Sequence, residues 1–290
     1  MLKKLFISLL NTLCQWQIVV GTGAAVLSAE TIFLKGQNVL DYIPLISFNF
    51  FGTLAVYQLA KSRMVEWAIQ KVLRQKRNTH LRILELLLSI LCSAMAFYFL
   101  IQLPQSVIYL ILCFSPLILF YLIPISPPIS LRNGLRAIPF AKNFLVGILW
   151  AFITVHLVES CIAQNTFHVP DLHLYAQRFF FICALTIPFD IRDRTYVAQN
   201  QMNTLPVWMG IDGSKIFALI CLALSFVFAF SSAFYSNLHL IALVIALLLA
   251  LISVYMSSYK RNPYFYDLFS EGIMSAPFLM YLIMTRFYEI

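Results

Sequence analysis

Apolar stretches of about twenty residues recur along the whole chain, each ended by a charge, a proline or a polar cluster. That is the length a helix needs to cross the hydrocarbon of a bilayer. Nine spans are expected, near residues 12–33, 42–60, 83–101, 106–124, 143–163, 174–189, 216–235, 238–257 and 264–285. An outer-membrane barrel is excluded, because its strands alternate apolar and polar residues in segments of about ten. With 61% of residues hydrophobic and 11% charged, against about 25% charged in soluble domains, a water-soluble globule is excluded as well. Nine glycines and six scattered cysteines fit neither a collagen-like chain nor a disulfide-stapled domain. The expected fold class is all-α transmembrane, with residues 1–290 forming one integral membrane domain.

The basic residues orient such a chain. Lys3 and Lys4 precede the first span. The connection at 61–82 carries Lys61, Arg63, Lys71, Arg74, Lys76, Arg77 and Arg82; later connections on the same side carry Arg132, Arg136, Lys142, Arg192, Arg194, Lys215, Lys260 and Arg261. Only Lys35, Arg178 and Arg286 fall on the other side. By the positive-inside rule the N-terminus and the long connections are cytoplasmic, and nine spans leave the C-terminus outside. A cleaved signal peptide is not expected, since no small-residue cleavage site follows Lys3 and Lys4 and the apolar run continues into Gln15-Trp16-Gln17. The multi-pass protein is placed in a plasma membrane of the bacterial inner-membrane kind. Orientation is sufficient reason for the basic connections, so no nucleic-acid partner is expected.

The six cysteines lie in or at the ends of apolar spans without C-x-x-C spacing and read as buried small hydrophobes. The five histidines form no i,i+4 metal pair, and His168 and His173, beside Asp171, read as solvated in an exterior loop. No transition metal is assigned.

Polar residues inside spans carry more information, because burying them against lipid is costly and they generally face a cavity. On span two, Asn49, Thr53 and Tyr57 are spaced i, i+4, i+8 and share one helical face. After span six comes Pro188-Phe189-Asp190-Ile191-Arg192-Asp193-Arg194-Thr195-Tyr196, then Thr204-Leu205-Pro206 and Gly210. Asp190 and Asp193, at i and i+3, share a face. Carboxylates near Arg192, Arg194, Arg136 and Lys142 at a membrane mouth suit a Mg²⁺-bridged diphosphate, since Mg²⁺ takes one or two carboxylates together with phosphate oxygens. The alternative is a surface network in which the same aspartates pair with neighbouring cations. On span nine, Asp267 and Glu271 are i,i+4 and either line the same chamber, facing an acceptor's polar head, or reach the interface beside Lys260 and Arg261.

These residues resemble the UbiA-type intramembrane prenyltransferases, nine-helix enzymes that move an isoprenoid chain from its diphosphate to a lipophilic acceptor. The resemblance covers nearly the whole chain. It rests on Arg136-Ala137-Ile138-Pro139-Phe140-Ala141-Lys142 before span five, and above all on Asp190-Ile191-Arg192-Asp193 followed by Thr204-Leu205-Pro206 and Gly210. It implies polyprenyl diphosphate and an aromatic or quinone-type acceptor as partners, in a membrane lipid setting, with Mg²⁺ on Asp190 and Asp193 and catalysis centred on the same two residues. Asn49, Thr53, Tyr57, Arg136, Lys142, Arg192, Arg194 and Tyr196 are the implied substrate-binding set.

The chain departs from the family pattern in specific places. An N-x-x-x-D-x-x-x-D motif on span two is here Asn49, Thr53 and Tyr57, without either carboxylate; the aspartate expected after Asp193 is Val197, and the following glycine is Gln201. The implied Mg²⁺ site is therefore reduced. Guanidinium groups could take over part of the charge on a diphosphate, and the rings of Tyr57 and Tyr196 could face an allylic cation. A catalytically inactive descendant that binds lipid or a partner is the alternative function. A transporter fits least, because no internal repeat and no matched pair of broken spans is present. Oligomeric state, prenyl length and acceptor identity stay open at this level.

Overall fold

The computed structural model describes residues 16–72, 79–122, 140–164, 168–199 and 204–288, excepting the side chains of 60–72, 79–82, 85, 118–122, 196–199 and 288. The described residues are helices and short turns, without a strand. In chain order the helices are α1 (Ile18–Leu34), α2 (Ile43–Val72), α3 (Thr79–Leu100), α4 (Gln105–Leu122), α5 (Ala141–Ala163), α6 (Leu172–Gln199), the short α7 (Leu205–Trp208), α8 (Gly210–Phe230), α9 (Asn237–Met256) and α10 (Phe265–Phe287). Six segments are long and apolar enough to cross a membrane: Val39–Leu59, α5, Leu172–Thr195, α8, α9 and α10. Three shorter apolar helices, Ile18–Leu34, Leu86–Leu100 and Gln105–Leu117, accompany them. Each expected span overlaps one of these segments, and the chain is a multi-pass integral membrane protein of all-α class.

Helix ends follow local chemistry. Asn38 Oδ1 accepts from the Leu40 amide 3.3 Å away and opens the turn into α2. Asp171 Oδ1 accepts from the Leu174 amide at 2.7 Å and starts α6, and Ser236 does the same for α9 through the His239 amide. Side-chain acceptors of this kind satisfy amides that a helix start leaves without partners. Gly210, the first residue of α8, has φ +80°, a conformation only glycine adopts at little cost. Two boundaries differ from the sequence expectation: the connections expected from residues 61 and 190 both begin as helix, α2 continuing to Val72 and α6 through Asp190–Thr195 to Gln199.

The helices pack side by side. α1 lies against α2, α2 against α3, α4 against the second half of α5, α5 against α6, α6 against α8, α8 against α9, and α9 against α10, which returns to α1. α1 also crosses α5 at a π turn, Phe152–His156. Where α5 meets α6 the approach is close: a Cβ on Gly147 would come within 2.6 Å of Cys183 Sγ and 2.9 Å of the Phe179 ring. Large residues on the outer faces, such as Leu86, Ile90 and Phe97 on α3 and Ile220 and Phe230 on α8, are exposed, as lipid-facing side chains must be.

At the end of the bundle where α6 begins, polar groups are buried in pairs. Arg178 and Glu30 form an ion pair at 2.8 Å with both side chains almost wholly out of contact with solvent. Close by, Tyr235 Oη donates to Gln177 Oε1 at 3.3 Å, and Gln177 Nε2 donates to Ser225 Oγ at 3.3 Å. Burial, with Glu30 adding to it, pushes the Tyr235 hydroxyl well above its usual range. Glu159 binds Lys35 at 2.7 Å and accepts from the Asp171 amide at 2.8 Å. His168 Nε2 lies 3.4 Å from Glu159, so this histidine is engaged and not simply solvated.

Candidate functional site

Two adjoining pockets open between the helices, one of them apolar and the larger. This apolar arm, of about 150 Å³, is lined by Phe48, Asn49, Gly52, Thr53, Val56 and Tyr57 of α2 and by Val146, Leu149, Trp150 and Ile153 of α5. A smaller chamber of about 80 Å³ shares Tyr57, Val146 and Trp150 with it and adds Thr186, Phe189 and Glu271 among its walls. The i, i+4, i+8 spacing of Asn49, Thr53 and Tyr57 thus places all three on the cavity wall.

Asn49 ties the deep end together. Its Nδ2 donates to Ser28 Oγ at 2.7 Å and to the Ile153 carbonyl at 2.8 Å. Ile153 sits in the π turn of α5, and such bulges free carbonyls from the regular helical ladder. Thr53 is buried and Tyr57 half-buried.

The polar end lies where α5 starts and α6 finishes. Asp190, wholly buried, is paired with Lys142, whose side chain is 26% exposed. The other Asp190 oxygen accepts from Asn143 Nδ2 at 2.9 Å, and the same amide reaches Thr186 Oγ1 at 2.6 Å. A continuous string of contacts therefore runs from Lys142 to Thr186 on the chamber wall. Phe140, just before α5, packs edge-on against Trp208 of α7 with ring centroids 5.3 Å apart, and Leu205 and Pro206 are buried beneath. The Thr204-Leu205-Pro206 segment leads into α7, which packs on α6 and α8 and meets the residue before α5 through the Trp208 ring.

Arg192 makes a second knot. Its Nε and Nη2 hold Asp193 at 2.8 and 3.3 Å, while Nη1 donates to Asp267 at 3.0 Å. The guanidinium lies over Phe189 and Tyr266, 5.3 and 5.4 Å from the ring centroids. Asp267 belongs to a π turn that opens α10, Phe265–Ser270, whereas Glu271 follows it and lines the chamber. Of the two acids that sequence spacing put on one face, one meets Arg192 and the other faces the cavity. Arg194 is half-exposed. Arg136 and the Tyr196 side chain lie outside the described residues.

These positions do not bring Asp190 and Asp193 to one metal. Both oxygens of Asp190 are engaged by Lys142 and Asn143, and both of Asp193 by Arg192. On α2, where the family pattern puts two carboxylates, stand Thr53 and Tyr57. Among the described residues no group of three or more His, Cys, Asp or Glu could hold a metal ion. Mg²⁺ demands near-octahedral oxygen ligands, and the donor set here does not fit it. Sequence reasoning missed Asn143, Thr186 and Trp150; Asn143 directly follows Lys142, Thr186 is a single polar residue in an apolar run, and only their mutual contact marks them.

Neither known family patterns nor curated protein sequences match this chain. Its backbone does match a solved structure, a UbiA homologue from Archaeoglobus fulgidus bound to DMAPP and Mg²⁺, with a TM-score of 0.51 and 11% identity over 94% of this chain and 96% of the other. The chain has the UbiA-type intramembrane prenyltransferase fold in a far-diverged sequence.

Proposed function

We propose that the protein binds a prenyl diphosphate, its isoprenoid chain in the apolar arm and its charged head at the end marked by Lys142 and Arg192. The observation that carries this reading is a pair of adjoining pockets: an apolar one between α2 and α5, and beside it, across Tyr57, Val146 and Trp150, a chamber with Thr186 and Glu271 in its walls. The archaeal homologue of the same fold binds DMAPP. The bulk of a longer chain extends from the half-buried walls at Phe48, Gly52 and Val56 towards lipid. The basic connections put the head end in the cytoplasm.

In the active reading the C1–O bond of the prenyl diphosphate breaks and pyrophosphate leaves with the electron pair. Lys142 and Arg192 stabilise the charge that develops on it. The acceptor attacks C1 and loses a proton, for which Glu271 is the carboxylate in the chamber wall. No step is routed through Mg²⁺, whose ligands do not fit. The engagement of Asp190 and Asp193 by resident cations favours a second reading, a binding protein that has kept the fold without the chemistry.

Titration of dimethylallyl, geranyl and geranylgeranyl diphosphates into protein in nanodiscs tests the shared part. Saturable binding, weakened at least tenfold by Lys142→Met, is expected; no binding at any chain length overturns it. Release of pyrophosphate on addition of phenolic or quinol acceptors separates the enzyme from the binding protein.

A further inference from the structure

Where α8 starts and α9 finishes, three cations rest on neutral partners. Lys215 of α8 donates from Nζ to the Tyr255 carbonyl at 2.8 Å, one of the carbonyls that the end of α9 leaves without a helical partner. The Tyr255 ring lies 5.6 Å from the same ammonium. In the connection that follows, Lys260 stands 5.5 Å from the centroid of the Tyr259 ring, and Arg261 stands 4.8 Å from that of Phe265. Lys35, Lys142, Arg178 and Arg192 each meet a carboxylate. Among the described residues, Lys215, Lys260 and Arg261 meet none.

Around these charges the surface changes from polar to apolar within a few residues. Lys260 and Arg261 are exposed, and so are the Tyr255 and Tyr259 rings, at 78% and 54%. Exposed tyrosines at the ends of spans sit at the headgroup level of a bilayer, with the ring towards hydrocarbon and the hydroxyl towards water. The face of α9 that carries Tyr255 continues with Ile252 and Leu248, one and two turns earlier, both exposed. On α8, Leu219 is exposed one turn after Lys215. An apolar track therefore leads away from the cations along the packed pair α8 and α9. Chain orientation accounts for positive charge at this end, but not for its placement beside exposed rings at the head of such a track.

We propose that this corner binds an anionic phospholipid, its phosphate among Lys215, Lys260 and Arg261 and its acyl chains along the exposed faces of α8 and α9. An ammonium has three N–H donors and the Tyr255 carbonyl takes one of those on Lys215. The guanidinium fork of Arg261 matches phosphate oxygens. A zwitterionic headgroup brings its own ammonium against three cations, so the site selects lipid of net negative charge. None of its residues lines either pocket, and the proposal stands apart from the binding of prenyl diphosphate.

The test is native mass spectrometry of protein released from nanodiscs made of equal parts phosphatidylglycerol and phosphatidylcholine with the same acyl chains. Retained phosphatidylglycerol is expected to exceed phosphatidylcholine by about fivefold or more. Lys260→Gln/Arg261→Gln should bring the ratio close to one, with Lys215 left in place to hold the end of α9. Removing two charges from another connection, in Arg74→Gln/Arg77→Gln, should leave the ratio as in the wild type. Equal retention of the two lipids by the wild type, or a ratio unmoved in Lys260→Gln/Arg261→Gln, overturns the proposal. So does an equal loss in Arg74→Gln/Arg77→Gln, which would show attraction by the basic surface as a whole.

Discussion

The side-chain amide of Asn49 on α2 donates to the backbone carbonyl of Ile153 on α5 across 2.8 Å, and with its second proton holds Ser28 of α1 at 2.7 Å. Three helices are joined at one buried amide. Asn49→Leu removes both donors and leaves the Ile153 carbonyl without this partner, so a loss of about 1–3 kcal/mol is expected. Thermal unfolding in a mild detergent, followed by light scattering or tryptophan fluorescence, should show a lower midpoint. An unchanged midpoint would mean that the carbonyl finds another donor.

Lys142 and Asp190 form a pair that is buried on one side only. Asp190→Leu and Lys142→Met each leave one charge unmatched, with a cost of about 1–3 kcal/mol after allowance for the exposed ammonium. The double variant should recover most of that, because no lone charge remains. A double-mutant cycle on unfolding midpoints reads the coupling directly; simple additivity would argue against the pair.

Arg178 and Glu30 are buried on both sides. Removing one partner, as in Glu30→Gln, should cost about 3–5 kcal/mol and lower the yield of folded protein. Size-exclusion profiles and proteolysis after extraction would measure it.

Tyr235 contributes a dependence on alkaline pH. Its hydroxyl titrates above the ordinary value of 10.0 in the folded protein, because burial and Glu30 disfavour the phenolate. The unfolded chain loses that proton first, so this contribution is intact below about pH 10 and is lost as pH rises beyond it. Between pH 8 and 11 the wild-type midpoint should fall more steeply than that of Tyr235→Phe. Parallel curves would show that another group governs the alkaline limb.

Two glycines should respond in opposite ways. Gly147→Ala forces a Cβ against Cys183 Sγ and the Phe179 ring and should destabilise by about 1–3 kcal/mol. Gly52→Ala meets open space on the cavity wall, and its unfolding midpoint should be unchanged or higher, since alanine favours helix over glycine by roughly 1 kcal/mol.

Mg²⁺ or Mn²⁺ alone should bring no shift in melting and no tight site in an Mn²⁺ spin-resonance titration. Lys142 and Arg192 already occupy the aspartates. A saturable site at micromolar Mn²⁺ would show that these cations give way to metal.

The amino-acid sequence by itself determined the class and much of the wall. Apolar runs of membrane length leave only helices, because lipid offers the backbone no other partner, and the 3.6-residue period puts Asn49, Thr53 and Tyr57 on one face whatever lies opposite. The loss of two carboxylates from α2 is likewise a matter of residue identity. Tertiary structure alone decided what those residues meet. Spacing makes Asp190 and Asp193 neighbours, yet folding sends them to different cations: Asp190 is wholly buried and takes Lys142 from α5, where an unmatched charge would be costly, while the part-exposed Asp193 takes Arg192 beside it. The π turns at Phe152–His156 and Phe265–Ser270 were equally invisible in the residue pattern. Asn49 stands at the boundary: its position on the helix was legible, but the direction of its hydrogen bonds was set by Ser28 and Ile153, which only folding brings to it.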